Sequence, residues 1–274
     1  MKVLKFGGTS VGSPESMANV RDIVHSTPGR KVVVVSALGG ITDALINTAR
    51  MAVEDNIEYL DNYARIVERH IQMTRTMVPE LRRADTEQVV RMLLEELGNI
   101  FKGVSLIHDL SPRALDIIVS YGERLSSLIV SAMLGDCTHF DARTFIKTRK
   151  NSSGTNVLDT YLTNSLIVER LGKGEWETAV VGGFIASDIN GDITNLGRGG
   201  SDYTASLIAA ALKAEVLEIW TDVDGFMTAD PKVIDTAYVI EELSFTEAME
   251  LCNFGAKVVF PPTIYPAYHY NIPI

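Results

Sequence analysis

The sequence predicts an α/β fold in which a mainly parallel central sheet is covered by helices on both faces, a three-layer sandwich. Three observations lead there. Short β-branched runs such as Val32-Val33-Val34-Val35 lack polar alternation, as strands buried on both faces require. Helical stretches separate those runs, and strands alternating with helices imply parallel pairing. At 274 residues, with 46% apolar and 22% charged content, the chain is long enough for a substantial core and ordinary for a globular protein.

Taken in order, the apolar run Val3-Leu4 is the first strand, closing on Lys5-Phe6-Gly7-Gly8-Thr9-Ser10. Ser13 supplies an N-cap and Pro14 a first-turn proline for a helix over 14–26. Residues 32–35 form the second strand and 41–52 the next helix. Residues 55–110 break the rhythm with long Glu-, Arg-, Leu- and Met-rich helical patterns and no strand. We read them as two or three helices inserted in the sheet domain, as a lid or as the subunit contact of a homo-oligomer. A helix over 113–134, a weak strand over 138–140, a helix over 158–171 and a strand over 178–181 follow. Asn190-Gly191-Asp192 signals a hairpin turn between short β stretches. A helix over 201–212 and a strand over 216–220 complete the pattern, and no internal repeat or low-complexity linker interrupts it.

Composition narrows the function. Net charge is −10 with no run of five or more basic residues, which argues against nucleic acid or anionic lipid as a partner. An anionic substrate would need a local positive site working against that field. No apolar run approaches the roughly 18 residues of a membrane span, and the N-terminus lacks the apolar core of a signal peptide. Cys137 and Cys252 are too few for a disulfide framework, and no Cys/His cluster has metal spacing, so a cytoplasmic protein is expected.

Lys5-Phe6-Gly7-Gly8 at a strand end can cradle phosphate, because glycine lets successive N–H groups approach an anion and lysine adds mobile positive charge. Alone, such a Gly-Gly is a tight turn; it fits neither the P-loop nor the dinucleotide fingerprint, which disfavours a dehydrogenase. Thr194-Asn195-Leu196-Gly197-Arg198-Gly199-Gly200-Ser201-Asp202 is a second glycine loop ahead of a helix N-terminus, a natural anion site. Arg198 can fork onto a carboxylate or phosphate there, while Asp202 also reads as a plain helix-start carboxylate. Thr221-Asp222-Val223-Asp224-Gly225 and Thr228-Ala229-Asp230-Pro231-Lys232 follow a third apolar run, where open α/β sheets bind ligands. Their bland reading is an Asp-Gly turn and a helix stop. Gly122 inside a helical pattern costs about 1 kcal/mol against alanine, which points to a close approach. Beside it, Glu123 could pair with a cation or share a surface face with Arg124. His25, His70, His108, His139 and His269 show no Ser or Cys partner pattern. Two glycine loops, Lys5, Lys257 and Asp202 fit phosphoryl transfer, and a carboxylate acceptor, ionised with a pKa near about 4, needs no general base.

These segments, in this order, resemble aspartokinase, a branch of the amino-acid kinase superfamily with the carbamate kinase-like fold. The likeness rests on Lys5-Phe6-Gly7-Gly8-Thr9-Ser10-Val11, Val35-Ser36-Ala37 with Thr42-Asp43, and Ser120-Tyr121-Gly122-Glu123-Arg124-Leu125-Ser126. It continues through Gly182-Gly183-Phe184, Leu196 to Asp202, Thr221 to Gly225, and Phe254-Gly255-Ala256-Lys257-Val258. The resemblance implies one catalytic domain over 1–274, with a substrate-binding lobe over 1–190 and a nucleotide-binding lobe over 191–274. It implies ATP-dependent phosphorylation of the L-aspartate side chain to 4-phospho-L-aspartate, the first step toward lysine, threonine and methionine, with Mg²⁺ bridging the phosphates. Glu123 would then hold the substrate ammonium and Arg198 its α-carboxylate, with Ser36, Thr42, Phe184 and Ser201 lining the aspartate site. Lys5, Gly7, Gly8 and Lys257 would hold the phosphates, Asp202 would orient the lysines, and Thr221, Asp222, Met227, Asp230 and Lys232 would border the nucleotide.

Departures from the family pattern are Phe226-Met227 where tyrosine is common, Lys232 for arginine, and Phe260-Pro261-Pro262 for His-Pro-Arg. The family continues into ACT regulatory domains or a fused homoserine dehydrogenase. The chain here stops at Ile274, so lysine and threonine feedback sites are expected to be missing. The alternatives are another amino-acid kinase activity, such as acetylglutamate phosphorylation, and a nucleotide-binding domain with weak catalysis. An N-acylated substrate has no ammonium for Glu123 to hold, which separates the first from aspartate kinase.

Overall fold

A computed structural model describes residues 1–230, 233–256 and 258–274. Five parallel strands form the central sheet: β1 (Lys2–Phe6), β2 (Lys31–Val35), β3 (Thr138–Phe140), and two more given below. Between β1 and β2 runs α1 (Pro14–Ser26), capped by the Ser13 hydroxyl accepting from the Ser16 N–H at 3.1 Å, with Pro14 in the first turn as expected. Next come α2 (Ile41–Val53), the helices of the insertion, α3 (Tyr59–Met77) and α4 (Glu80–Ile107), and then α5 (Pro112–Leu134). The irregular stretch within 55–110 thus resolves into two long helices, α3 and α4.

Past β3, a hairpin of β4 (Thr148–Lys150) and β5 (Asn156–Leu158) departs from the sequence reading, which had only a helix from 158. That helix, α6 (Thr160–Ile167), runs on into a π-helical turn over Val168–Gly172. After β6 (Thr178–Gly182), the hairpin β7 (Ile185–Ser187) and β8 (Ile193–Asn195) closes around Asn190-Gly191, as the turn signal indicated. Then α7 (Gly200–Leu212) leads to β9 (Val216–Trp220). Two helices that sequence reasoning missed end the chain, α8 (Phe245–Asn253) and α9 (Pro261–His269).

The sheet order is β3-β6-β2-β1-β9, with Lys5 in register with Val34 on one side and Ile219 on the other. Alternation along β2 divides the core: Val33 and Val35 join the apolar cluster under α1 to α5, while Val32 and Val34 join the one under α6, α7 and α9. This is why the run carries no polar residue: both faces are covered. The predicted close approach at Gly122 is present, since a Cβ there would lie 2.7 Å from Ala37 Cβ. Although α5 is long and apolar enough to cross a membrane, 72% of its apolar window is buried, so it is the core helix of this fold.

Candidate functional site

A cleft of about 370 Å³ opens at the C-terminal ends of β1, β2 and β6, where open parallel sheets bind ligands. It gathers nine of the residues singled out from the sequence: Lys5, Gly8, Ser36, Thr42, Glu123, Phe184, Arg198, Ser201 and Asp202. Each arrives by a different route. Lys5 is the next-to-last residue of β1, Ser36 follows β2, Thr42 lies in the first turn of α2, Glu123 sits mid-α5, and Phe184 follows β6. Arg198 stands in the loop ahead of α7, and Ser201 and Asp202 occupy that helix's first turn.

The cleft floor is a buried ion pair. Lys5 Nζ is 2.6 Å from Asp202 Oδ1, with both side chains largely shielded. Asp202 thus sits in the first turn of α7, where its charge suits the positive helix end, and pairs with Lys5. Gly7 donates its N–H to the Trp220 carbonyl at 3.2 Å, and a Cβ on it would lie 3.5 Å from Lys5 Nζ. Backbone therefore passes directly beside the ammonium.

Across the cleft, Glu123 is only 4% exposed, so the surface-face reading fails. Its Oε1 accepts from the Ala37 N–H at 3.1 Å, and its Oε2 is buried with no partner among the described residues. Burial, only partly offset by the Ala37 N–H, pushes its pKa up to about 8. A buried carboxylate with one free oxygen is a cation receptor. Arg124 instead stacks over the Tyr121 ring at 4.2 Å and lies 3.7 Å from Glu96, tying α5 to the insertion. With Arg198 in the same lining, the cleft offers one anionic and one cationic handle besides the Lys5–Asp202 pair.

A larger cavity of about 700 Å³ adjoins it, sharing Arg198, Gly199 and Asp202 and lined further by Cys252, Phe260 and Tyr265. Phe260, where the resemblance leads one to expect histidine, faces the Arg198 guanidinium at 5.7 Å. Thr221, Asp222, Met227 and Asp230 line neither space. Thr221 donates to Asp222 at 3.0 Å on an exposed loop directly after β9, and Met227 bridges Val239. The Asp230 carbonyl accepts from the Val233 and Ile234 N–H groups. Lys232 and Lys257 lie outside the described residues. His139, unpaired on the sequence reading, has Ser127 Oγ 3.0 Å from its Nε2, but neither residue lines the cleft.

Sequence reasoning missed Leu38-Gly39-Gly40 and gave Asp43, quoted beside Thr42, no role; all four line the cleft. Gly40 caps α2 in the left-handed conformation with φ 78°. A Gly-Gly pair just before a helix start was the available signal, the same one that singled out Gly7-Gly8.

Comparison with known proteins agrees with this geometry. The chain is 36% identical to the lysine-sensitive aspartokinase 3 of Escherichia coli over 99% of its own length and 60% of that protein's. It is 34% identical to Arabidopsis thaliana chloroplastic aspartokinase 2, over 99% of its length and 51% of that protein's. It thus spans about half to three-fifths of these relatives. The crystal structure of Escherichia coli aspartokinase III in complex with aspartate and ADP superposes with a TM-score of 0.85 at 34% identity, covering 99% of this chain and 60% of that one. Clostridium acetobutylicum aspartate kinase matches with a TM-score of 0.82 at 28% identity, over 99% of this chain and 59% of that one. The model of the amino acid kinase family matches residues 1–274, the whole chain. With the parallel sheet, the strand-end cleft and these matches in agreement, the chain belongs to the amino acid kinase family.

Proposed function

We propose that the chain is the catalytic domain of an aspartate kinase, transferring the γ-phosphoryl group of ATP to the side-chain carboxylate of L-aspartate. The observation that carries this is the free, buried Oε2 of Glu123 in the same cleft as Arg198. An α-amino acid presents an ammonium and a carboxylate about one carbon apart, and these two side chains match that pair. Ser36, Thr42, Phe184 and Ser201 shape the remaining wall, leaving the side-chain carboxylate directed at Lys5.

The carboxylate oxygen bonds to the γ-phosphorus while the bond from that phosphorus to the β,γ-bridging oxygen breaks, giving the acyl phosphate and ADP. Lys5, oriented by Asp202, neutralises charge on the transferring group, and Gly8 lines the same cleft, while the Gly7 N–H already donates to the Trp220 carbonyl. No base is required because the acceptor is already ionised, consistent with a cleft lined by no histidine. The adjoining cavity has the size of a ligand site and suits the nucleotide, with Lys232, Lys257 and the loop after β9 on its border in this reading. Mg²⁺ supplies further charge neutralisation when bound and arrives on the phosphates. Residues 1–190 then supply most of the aspartate wall and 191–274 most of the nucleotide wall, in a cytoplasmic enzyme acting on free aspartate.

A hydroxamate assay with Mg-ATP and a panel of acceptors tests this. Aspartate-dependent acyl phosphate is expected. Turnover of acetylglutamate but not aspartate overturns the substrate assignment, and ATP binding with no aspartate-dependent ADP release overturns the catalytic one.

A further inference from the structure

Phe184 has φ 65°, a conformation that bulky residues rarely adopt. The Ile185 N–H returns to the Gly183 carbonyl at 2.6 Å, which makes Phe184 the centre of the rare γ-turn with positive φ. Such strain persists only where the surroundings over-determine it, and here it lies in the wall of the substrate cleft. One side chain holds it. Thr204 Oγ1, fully buried in the second turn of α7, accepts the Phe184 N–H at 3.0 Å and donates to the Gly200 carbonyl at 2.8 Å. The second bond alone is the ordinary back-bond of a helical threonine. The first is not, because it crosses to another chain segment and fixes the donor of a strained residue.

The packing confirms how tight this junction is. A Cβ on Gly183 would lie 2.6 Å from Ser201 Cβ, and one on Gly200 would lie 2.8 Å from the Phe184 ring. Only glycine permits that approach, so the β6–β7 turn and the N-terminus of α7 meet backbone to backbone, joined by the Thr204 hydroxyl. The residues on either side of the joint are Phe184 on one and Arg198, Ser201 and Asp202 on the other.

We propose that Thr204 is a positioning residue for the acceptor substrate: its hydroxyl locks the strained Phe184 turn to the α7 N-terminus and so sets the width of the aspartate pocket. The assignment rests on the aspartate kinase reading above. Removing the hydroxyl relaxes the turn and moves Phe184 against Arg198 and Ser201, whereas the nucleotide side keeps its geometry.

Steady-state kinetics on the full 274-residue chain test it. Thr204→Val keeps the shape and loses the hydroxyl; KM for aspartate should rise about tenfold while KM for ATP changes less than about twofold. Thr204→Ser restores the hydroxyl and should recover most of the aspartate affinity. Should the valine variant fail to fold, Thr204→Ala serves in the same assay. Hydrogen exchange at the Phe184 amide is read in parallel and should accelerate in each variant without the hydroxyl. An unchanged aspartate KM, equal rises in both KM values, or a serine variant as damaged as the valine one overturns the proposal. If the wild-type chain phosphorylates no aspartate, the functional reading fails instead, and the exchange at Phe184 still reports whether the clamp exists.

Discussion

The cleft and the stretch after β9, whose helix α8 lines the adjoining cavity, are built differently. Glu123, Lys5 and the turn after β6 grow from strands and a helix embedded in the two apolar clusters, so each side chain inherits its position from the sheet. The stretch after β9 is looser: Thr221 and Asp222 are exposed, and α8 contains no buried residue at all. Where chemistry needs a desolvated charge, the protein invests buried structure. Where a large ligand would supply much of the contact itself, it leaves an open loop and a surface helix. The cleft lining is thereby preorganised, while the stretch after β9 can adapt.

The sharpest way to break that contrast is Lys5→Ala. If the buried lining carries transition-state stabilisation, kcat falls about 10²- to 10³-fold with aspartate KM nearly unchanged. A variant altered only in KM would reduce Lys5 to a binding group. Next comes Glu123→Gln, which keeps shape but removes the charge facing the ammonium. Aspartate kcat/KM should drop about 10- to 150-fold, mostly through KM, with ATP KM unaffected. The same residue sets a pH dependence. Its folded pKa near 8 exceeds the ordinary 4.5, so the folded state binds the extra proton and apo stability falls as pH rises between those values. Thermal melts from pH 5 to 8.5 should show that slope in the wild type and a weaker one in Glu123→Gln. Because the ammonium needs the ionised carboxylate, aspartate affinity should rise from pH 6 to 8, with proton release on binding seen by calorimetry in buffers of different ionisation enthalpy.

Gly122→Ala probes the packing behind Glu123. Alanine gains about 1 kcal/mol of helix propensity, but its Cβ would press on Ala37, at a cost of about 1–3 kcal/mol. A net loss of about 1 kcal/mol in urea unfolding is expected, with a several-fold rise in aspartate KM because Ala37 N–H is the donor to Glu123. A stabilised variant with unchanged KM would mean that α5 is not seated as tightly as described.

The legibility of the molecule follows the same division. Strands β2 and β6 could be read as apolar runs because burial on both faces removes polar alternation, and β1 and β9 through their shorter apolar stretches Val3-Leu4 and Val216-Leu217. The Ser13-Pro14 start of α1 is a local signal that tertiary contacts do not override. The β4–β5 hairpin could not be read, because Thr148-Arg149-Lys150 is three mostly polar residues with no period to detect. In α9, Pro266 inside the helix hides it from any propensity argument. Of the site, the Lys5-Gly8 segment at the end of β1 and the glycine loop ahead of α7 were plain, whereas the Thr221-Asp222 motif after β9 lines neither space. The burial of Glu123 was not, since a Glu-Arg pair on a helix looks like a solvated face until Ala37 is packed against Gly122.

The smallest effect sharpens the comparison most cleanly, because the same atom is deleted in both regions. Ser13 caps α1 and Ser244 caps α8, the latter in a full capping box with Glu247. Either serine to alanine costs its own helix about 1 kcal/mol. Helix α1 buries Met17, Val20 and Val24 in the main cluster, so Ser13→Ala should lower global unfolding free energy by about that amount. Helix α8 buries nothing and can fray before the core opens, so Ser244→Ala should change global stability by less than about 0.5 kcal/mol. Its effect should appear instead as faster amide exchange confined to 245–253. Equal losses of global stability for the two variants would show that the C-terminal helices unfold with the sheet, and the contrast between a rigid cleft and an adaptable stretch after β9 would no longer hold.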